Sequence, residues 1–280
     1  MKKRFFRPLA LCALAAALLA TVLLLPGCNK SNQKLRIIGE SLATEQYGVG
    51  FRLEDVALRD KVNDTLYQMK QDGTMANISQ TWFGKDVTGA FQAIPDTGTD
   101  NSWDLVKQKG TLVLGLDASF PPMGYTDDNG NIVGYDIDLA KEVCSRLGIT
   151  LTLQPINWDS KDVYMQAHTI DCIWNGFTIT AERQQVYSFT SPYMENDQVL
   201  VVLDSSPYHT LADLAGKKVA IQKGSSAEDA LNNAADFKAS LAAVNPFDDN
   251  VTAIQNVKIG QDAAVLMDSV VAQYMISQQK

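Results

Sequence analysis

Polar residues follow two buried segments of this sequence, at positions where α/β sheets often place ligand-binding groups. The segments are "MQAHTIDCIWNGFT", residues 165–178, and "NVKIGQDAAVLMDS", residues 256–269. Each reads as the end of a helix, a small turn, an aspartate, a buried strand and then a polar residue. Because ligands bind outside the carboxyl ends of strands in open α/β sheets, the two segments predict a site between two similar lobes. Two ordinary α/β units without a shared site would give the same pattern.

Strands and helices alternate along the chain that must position these residues. Residues 111–116 form an apolar strand, and residues 127–130 signal a turn. The segment "YDIDLAKEVCSRLG", residues 135–148, has apolar residues at helical spacing before a glycine stop. A second round, "KKVAIQKGSSAEDALNNA", residues 217–234, reads as strand, Gly-Ser-rich turn and helix. This alternation predicts an α/β fold with a mostly parallel sheet in each lobe.

Composition narrows the class of function. The chain has 280 residues with 24 Lys+Arg and 32 Asp+Glu. Residues 1–27 hold four of the basic residues and no acidic residue, so the rest carries 20 minus 32, or −12. A chain this acidic is a poor nucleic-acid binder, because phosphate contacts need basic patches. No CxxC or histidine-rich spacing indicates a metal, and no cofactor is expected. Cys144 and Cys172 are expected to be buried free thiols, although an oxidising compartment would also allow them to pair.

The N-terminal residues indicate export. Residues 1–27 have a basic start and then an apolar run, the pattern of a secretory signal peptide. A membrane anchor is the alternative, although the apolar run of about 17 residues is at the short edge of what spans a bilayer. The residues "LPGC", which end at Cys28, resemble the bacterial lipobox. This resemblance implies that Cys28 is lipidated and that residues 28–34 tether the protein to a membrane surface.

Three motifs together resemble one protein family. The segments "GLDASFPPMGYTDDNGNIVGYDIDLAKEV", "WNGFTITAERQQVYSFTSPY" and "KKVAIQKGSSAEDAL" are similar to the polar amino-acid-binding proteins of bacterial ABC importers, the family 3 solute-binding proteins. The resemblance covers nearly all of residues 35–280. It implies the two-lobed periplasmic-binding-protein type II fold, with mixed sheets joined by two crossing strands. It also implies an extracytoplasmic protein that closes on an amino acid and delivers it to a membrane permease.

The order of the segments differs from the family. The stretch from "RIIGESLATEQYGVGF" to "ISQTWFGKDV", residues 36–87, resembles the family's last segment but comes first here. The chain therefore reads as a circular permutation, with residues 88–103 as the linker between the family's usual termini. Sixteen linker residues reach at most about 55 Å, enough to cross one lobe. Lobe 1 is then expected over residues 41–192, and lobe 2 over residues 193–280 completed by a strand at 35–40. A monomer is expected; a dimer that exchanges segments is the alternative.

The resemblance implies the roles of the residues that would hold the ligand's backbone. Arg183 stands where the family clamps the ligand α-carboxylate, and Asp268 where it holds the α-ammonium. Gly176 and Thr178 match positions that offer a carbonyl to the ammonium and a polar group to the carboxylate. Ser226, at the start of a helix, is expected to meet the carboxylate with its N–H and hydroxyl. A surface ion pair, a strand-end turn and a plain helix cap are the alternatives for Arg183, Asp268 and Ser226.

The resemblance also implies which residues surround the ligand side chain. Phe120 and Trp158 match an aromatic pair that sandwiches its aliphatic part. Asp117 lies where family members contact its polar end, and Gln222 is a further candidate. Trp174 and Asn175 are candidates too, although each is as easily a structural residue.

Two other functional classes share this fold. Cyclohexadienyl dehydratases eliminate water from a prephenate-like substrate, but they need a general acid in the cleft, and no obvious glutamate or histidine matches one here. A sensor domain is the other class. We expect a binding protein without enzymatic activity. The sequence leaves glutamine, arginine, lysine, histidine and cystine open as ligands.

Overall fold

The computed structural model describes residues 33–279. The expected signal peptide, Cys28 and most of the expected tether lie outside this range. Within the range the strands are β1 (Leu35–Tyr47), β2 (Gly50–Arg52), β3 (Thr111–Leu116), β4 (Ser119–Phe120), β5 (Gly124–Thr126), β6 (Ile132–Val133), β7 (Thr150–Pro155), β8 (Cys172–Ile173), β9 (Tyr187–Phe189), β10 (Met194–Leu203), β11 (Lys218–Gln222), β12 (Ala243–Phe247) and β13 (Ala264–Asp268).

Helices cover both faces of the sheets. The helices within residues 33–279 are α1 (Val56–Gln71), α2 (Thr74–Phe83), α3 (Ser102–Lys109), α4 (Tyr135–Leu147), α5 (Lys161–Gln166), α6 (Ser226–Asn233), α7 (Ala235–Ser240), α8 (Asn250–Lys258) and α9 (Ser269–Ser277). The described residues also form three short 3-10 helices, at Trp158–Ser160, Arg183–Gln185 and Leu211–Leu214.

Two five-stranded mixed sheets form the centres of two lobes. Lobe 1 has the strand order β7-β3-β8-β2-β9, and lobe 2 has the order β1-β10-β13-β11-β12. In lobe 1, β3 pairs in parallel with β7 and β8, while β2 is antiparallel to β8 and β9. In lobe 2, β11 pairs in parallel with β12 and β13, while β10 is antiparallel to β1 and β13. The expected two-lobed fold with mixed sheets is therefore confirmed. The mostly parallel sheet that the alternation of strands and helices predicts is wrong, because half of the strand pairs in each sheet are antiparallel.

Strands β1 and β10, here called the crossing pair, connect the lobes. They run antiparallel from Leu35 opposite Leu203 to Tyr47 opposite Met194. The sequence predicts a strand at residues 35–40 followed by a polar crossing, but β1 continues as a strand to Tyr47. Its middle is polar because most of those residues face solvent between the lobes. The register shifts around Ser41, a β-bulge that bends a strand. Since both crossing strands serve both lobes, the lobe boundaries at 41 and 193 stay predictions.

Local sequence signals account for the elements next to the site. Helix α4 buries Ile137, Ala140, Val143 and Cys144 on one face, as its spacing predicts. It ends at Gly148, whose φ of 68° is a left-handed conformation that glycine adopts without strain. These apolar residues join a buried apolar cluster that includes residues of both lobes.

The segment from Thr88 to Asn101 connects α2 to α3 and lies against α1. The Lys70 ammonium donates to the carbonyl of Phe91 at 2.8 Å and to that of Gly89 at 3.3 Å. The Asp60 carboxylate accepts the N–H groups of Thr97 and Gly98 at 2.8 and 2.9 Å. Backbone polar groups of this long connection are thus paired, as packed backbone requires.

Two remaining expectations concern thiols and membrane spans. Cys144 and Cys172 are both buried free thiols in the structure. Between residues 33 and 279 no helix combines the length and the apolar character needed to span a bilayer.

Candidate functional site

The nine residues predicted to bind the ligand line one narrow cavity between the lobes. Lobe 1 contributes residues that follow β3 and β8 or lie in short turns, and lobe 2 contributes residues at the ends of β11 and β13 and the start of α6. The lining residues are Asp117, Phe120, Trp158, Asn175, Gly176, Thr178, Arg183, Gln222, Ser225, Ser226 and Asp268. Trp174 is fully buried and is not among them, so its position is structural.

Arg183 supplies a buried positive charge to this cavity. Its Nη1 donates to the carbonyl of Thr178 at 3.0 Å, and its Nη2 donates to that of Gly224 at 3.3 Å. The guanidinium also lies 4.7 Å from the centre of the Phe177 ring. Burial lowers the pKa of Arg183, although the charge of Asp229 acts in the opposite direction. No carboxylate within residues 33–279 forms a salt bridge with it, so further guanidinium N–H groups are available to an anion.

Asp268 supplies a buried negative charge from lobe 2. It ends β13, and its carboxylate accepts hydrogen bonds from the Tyr47 hydroxyl, from Gln198 Nε2 at 2.9 Å and from Asn196 Nδ2 at 3.1 Å. Burial, and next the charge of Glu45, raise the pKa of Asp268 well above its ordinary range. In the described part of the chain its three hydrogen-bond donors are neutral, and no salt bridge includes it.

The crossing pair holds Asp268 through a set of hydrogen bonds here called the amide network. Asn196 Nδ2 and Gln198 Nε2 donate to Glu45 Oε1 at 2.7 and 2.9 Å, and the same two nitrogens donate to Asp268. Residue Glu45 lies opposite Asn196 in the strand register. Two carboxylates are therefore bridged by two amides, and both amides belong to β10.

Sequence reasoning missed the amide network, although a signal for it exists. Glu45 and Tyr47 are two residues apart on β1, as are Asn196 and Gln198 on β10. Residues at this spacing share one face of a strand. A strand assignment that continued beyond residue 40 would have placed all four on the face toward Asp268.

Hydroxyl groups from both lobes meet beside Arg183. Thr178 Oγ1 donates to Ser226 Oγ at 3.0 Å across the cleft, and Gln198 Nε2 lies 3.2 Å from the same oxygen. Ser226 is the first residue of α6, and the preceding Ser225 hydroxyl donates to the carbonyl of Gln222 at 2.7 Å. The backbone N–H groups at the start of a helix favour an anion.

Asp117 and Gln222 form a second contact between the lobes. Gln222 Nε2 donates to Asp117 Oδ2 at 2.7 Å, while Ser119 donates to Asp117 Oδ1 through its N–H and its hydroxyl, at 2.9 and 2.6 Å. Asn250 Nδ2 in turn donates to Gln222 Oε1 at 2.9 Å. Burial raises the pKa of Asp117. This end of the cavity thus presents acceptors and an amide rather than apolar surface.

Aromatic rings and a glycine shape the walls. Phe120 and Trp158 are both buried against the cavity, and the Trp158 ring meets the Phe177 ring edge-on at 5.7 Å. Gly176 has a φ of 58°, and a Cβ there would lie 2.8 Å from the Phe120 ring and 3.2 Å from the Tyr47 ring. Only glycine fits this position without displacing both rings.

Asp136 holds Gly176 from behind the cavity. Its Oδ2 accepts the Gly176 N–H at 2.7 Å, and the side chain is fully buried at the start of α4. Burial raises the pKa of Asp136 to about 7. Sequence reasoning did not single out this carboxyl group, because an aspartate in the first turn of a helix reads as an ordinary N-terminal residue.

Comparison with known proteins places this geometry in a family. Residues 15–85 and 112–264 match the model of the bacterial extracellular solute-binding proteins, family 3. The chain belongs to this family. The resemblance seen in the motifs is therefore confirmed.

Individual relatives of this solute-binding protein are named for amino acids. The L-cystine-binding protein TcyJ of Escherichia coli K12 is 31% identical over 169 residues, which are 60% of this chain and 62% of the relative. ABC transporter arginine-binding protein 1 of the same organism is 37% identical over 40% of this chain and 45% of its own. The match thus spans less than two thirds of these relatives' length.

A solved structure has the same fold. The ABC uptake transporter substrate-binding protein from Streptococcus pneumoniae with bound histidine aligns with a TM-score of 0.62 and 35% identity. The alignment covers 65% of this chain and 74% of that one. The type II periplasmic-binding-protein fold of the chain is therefore shown.

We predict that Asp136→Asn flattens the dependence of stability on pH. The unfolded carboxyl has an ordinary pKa near 4, so between about pH 4 and 7 the unfolded chain loses its proton before the folded one. The free energy of unfolding must then fall as pH rises through this window, by up to about 4 kcal/mol. Asparagine keeps an acceptor for Gly176 and has no proton to lose.

Urea unfolding at pH 4.5 and 7.5 measures the difference. Asp104→Asn, at an exposed aspartate of α3, is the control and should follow the unmodified protein. Parallel pH profiles for Asp136→Asn and the unmodified protein would show that Asp136 is not the group that titrates.

Proposed function

We propose that this protein binds a polar amino acid between its two lobes and delivers it to an ABC import permease. One observation carries the proposal: the Arg183 guanidinium and the Asp268 carboxyl group are buried, line the same cavity, and form no salt bridge with an oppositely charged residue within residues 33–279. Burying an isolated charge is costly. A zwitterion carries one charge of each sign and compensates both at once.

Each part of the ligand is contacted by its own set of residues. The planar guanidinium of Arg183 binds the α-carboxylate with two parallel hydrogen bonds, supported by Thr178 and Ser226. Asp268, with a carbonyl oxygen at Gly176, holds the α-ammonium. Phe120 and Trp158 pack on the aliphatic part of the side chain. Asp117 and Gln222 contact its polar end, where a donor such as an amide or a cation completes the hydrogen bonds.

Closure of the lobes follows because the residues that contact the ligand lie on both lobes. Arg183, Thr178 and Trp158 belong to lobe 1, whereas Asp268 and Ser226 belong to lobe 2. A ligand favours the closed form only through contacts that it makes there and not in the open form. Asp268, the partner of the ligand's ammonium group, lies on lobe 2. Its contact with the ligand therefore forms when the lobes close, and it stabilises the closed form. The closed form is the one presented to the permease.

Export and attachment complete the proposal. Residues 1–27 act as a signal peptide, and Cys28 carries the lipid that anchors the protein outside the cytoplasmic membrane. The family is extracytoplasmic, which supports export. The relatives reported above are named for binding rather than catalysis, which favours a transport role over a dehydratase-like enzyme.

The chain is, we propose, a circular permutation of the family's usual order. Strand β1 pairs with β10 in the sheet that contains β11 and β13, while β2 and α1 continue into lobe 1. The two ends of the described chain are neighbours, since the Leu35 N–H donates to Gln279 Oε1 at 2.6 Å. Adjacent ends permit such a rearrangement.

We predict that Arg183→Ala abolishes detectable amino-acid binding while the protein stays folded. Removing one partner of a buried ion pair costs about 3–5 kcal/mol, since the other charge stays desolvated. At about 1.4 kcal/mol per tenfold, affinity falls by roughly 10² to 10⁴. Asp268→Asn should lose nearly as much. A ligand that lacks its α-amino group should bind the unmodified protein poorly and lose little more with Asp268→Asn.

Titration calorimetry measures these affinities. Arg146→Ala is the matched control, because Arg146 forms ion pairs with Asp72 and Glu142 on the surface of lobe 1. This variant should bind the amino acid with the affinity of the unmodified protein. If Arg183→Ala binds with unmodified affinity, the carboxylate is held elsewhere and the site is misplaced.

We predict that β1 completes lobe 2 of its own chain in a monomer. Light scattering with sizing chromatography should give the mass of one chain. A photo-crosslinker at Gln279 should capture residues near Leu35. In a mixture of isotopically labelled and unlabelled protein, crosslinked peptides should come only from chains of one label. Mixed-label crosslinks in an obligate dimer would show segment exchange instead.

A further inference from the structure

Lys161 is a buried lysine that the proposed ligand contacts do not use. It is the first residue of α5, and its side chain is only 7% exposed. Its Nζ donates to the carbonyl of Gly224 at 2.9 Å, lies 3.4 Å from the carbonyl of Trp158 and stands 5.5 Å from the centre of the Trp158 ring. None of the salt bridges found within residues 33–279 includes it.

The bond to Gly224 crosses the cleft. Lys161 belongs to lobe 1, while Gly224 lies in the turn between β11 and α6 of lobe 2. In this turn the Gly224 N–H donates to Glu228 Oε2 at 2.8 Å, and Gly224 has a left-handed φ of 64°. A Cβ on Gly224 would lie 3.2 Å from Lys161 Nζ and 3.0 Å from Asp159 Oδ1, so the close approach of the lobes here depends on glycine.

Two cations of lobe 1 converge on this single carbonyl. Arg183 Nη2 donates to it at 3.3 Å in addition to the Lys161 ammonium. Placing two cations so close together is unfavourable in itself. Burial, and next the charge of Arg183, lower the pKa of Lys161 because both disfavour its charged form. A cation in the first turn of a helix also opposes the helix dipole. The charges of Asp162 and Asp159 and the Trp158 ring offset part of this cost within lobe 1, and the shortest hydrogen bond of the ammonium is made to lobe 2.

We propose that Lys161 is a positioning residue that links the ligand wall Trp158 to closure of the lobes through the Gly224 carbonyl. This inference rests on the proposed function. When the lobes separate, the ammonium loses Gly224 and returns to water, so the contact stabilises only the closed form. Lys161 also contacts the main-chain carbonyl and the ring of Trp158. It thereby holds the aromatic wall in the position that closure requires.

Replacing the Lys161 ammonium tests its proposed role in closure. Lys161→Met keeps a long side chain without a donor, Lys161→Arg restores a cationic donor, and Lys107→Met removes an exposed lysine of the same lobe. Stopped-flow tryptophan fluorescence is recorded with L-cystine, L-arginine and L-histidine, and rates are compared for the one that the unmodified protein binds most tightly. A charge-assisted hydrogen bond of the ordinary strength implies that Lys161→Met dissociates about tenfold faster. Its association rate constant should stay within about twofold, and Lys161→Arg should recover most of the loss.

A second readout is independent of the ligand. Spin labels on cysteines at the exposed positions Gln166 of lobe 1 and Asn233 of lobe 2 report the separation of the lobes without added amino acid. Lys161→Met should shift the distances toward the open form, with an unchanged melting temperature, while Lys107→Met should not. Unchanged distances and an unchanged dissociation rate would overturn the proposal, as would a loss that Lys161→Arg fails to recover. If none of the three amino acids binds the unmodified protein, the proposed function fails with these probes, and the distances alone decide the role of Lys161.

Discussion

The carboxylate of Asp268 is buried without a cation, and much of the structure around the cleft serves to keep it there. Tyr47, Asn196 and Gln198 surround it with hydrogen-bond donors, and Glu45 shares the two amides. Neutral donors stabilise a buried carboxylate only in part, which is why its pKa is raised. A group held in this way gains most from a ligand that brings a positive charge. Arg183 on the other lobe also lacks an ion-pair partner, so it gains most from a ligand that brings a negative charge.

The same network ties binding to the movement of the lobes. Its amides lie on β10, and Glu45 and Tyr47 lie on β1, so the crossing pair that connects the lobes also positions the ligand's proposed ammonium partner. On the opposite side of the cleft, Lys161 and Arg183 meet the Gly224 carbonyl, and Tyr125 hydrogen-bonds to Tyr274 at 3.0 Å. Hydrogen bonds thus join the two lobes at several points.

Patterns in the sequence predicted the elements that carry the lining residues, and the family resemblance predicted which of their residues meet. Helical spacing gave α4, and the strand before Asp117 was predicted with its observed bounds. The amide network was missed because the predicted strand ended at residue 40, and because Glu45 and Asn196, 151 positions apart, meet only through the register of β1 with β10. The strand β1 itself was underestimated, since its polar middle resembles a loop when the partner strand is not considered. The burial of Lys161 could not be predicted for another reason. Nothing in a sequence distinguishes a lysine that is buried by a second lobe from one on the surface.

The most direct measurement is a thermal-shift screen of the unmodified protein with the twenty amino acids and cystine, each beside its N-acetyl and its carboxamide derivative. A ligand at 100 times its dissociation constant adds about 2.7 kcal/mol to the free energy of unfolding. We expect at least one polar amino acid to raise the melting temperature, and both of its derivatives to fail, since each removes one of the two charges that Arg183 and Asp268 require. If a derivative without the α-ammonium or without the α-carboxylate stabilises the protein as well as its parent, the zwitterion is not what the cleft recognises.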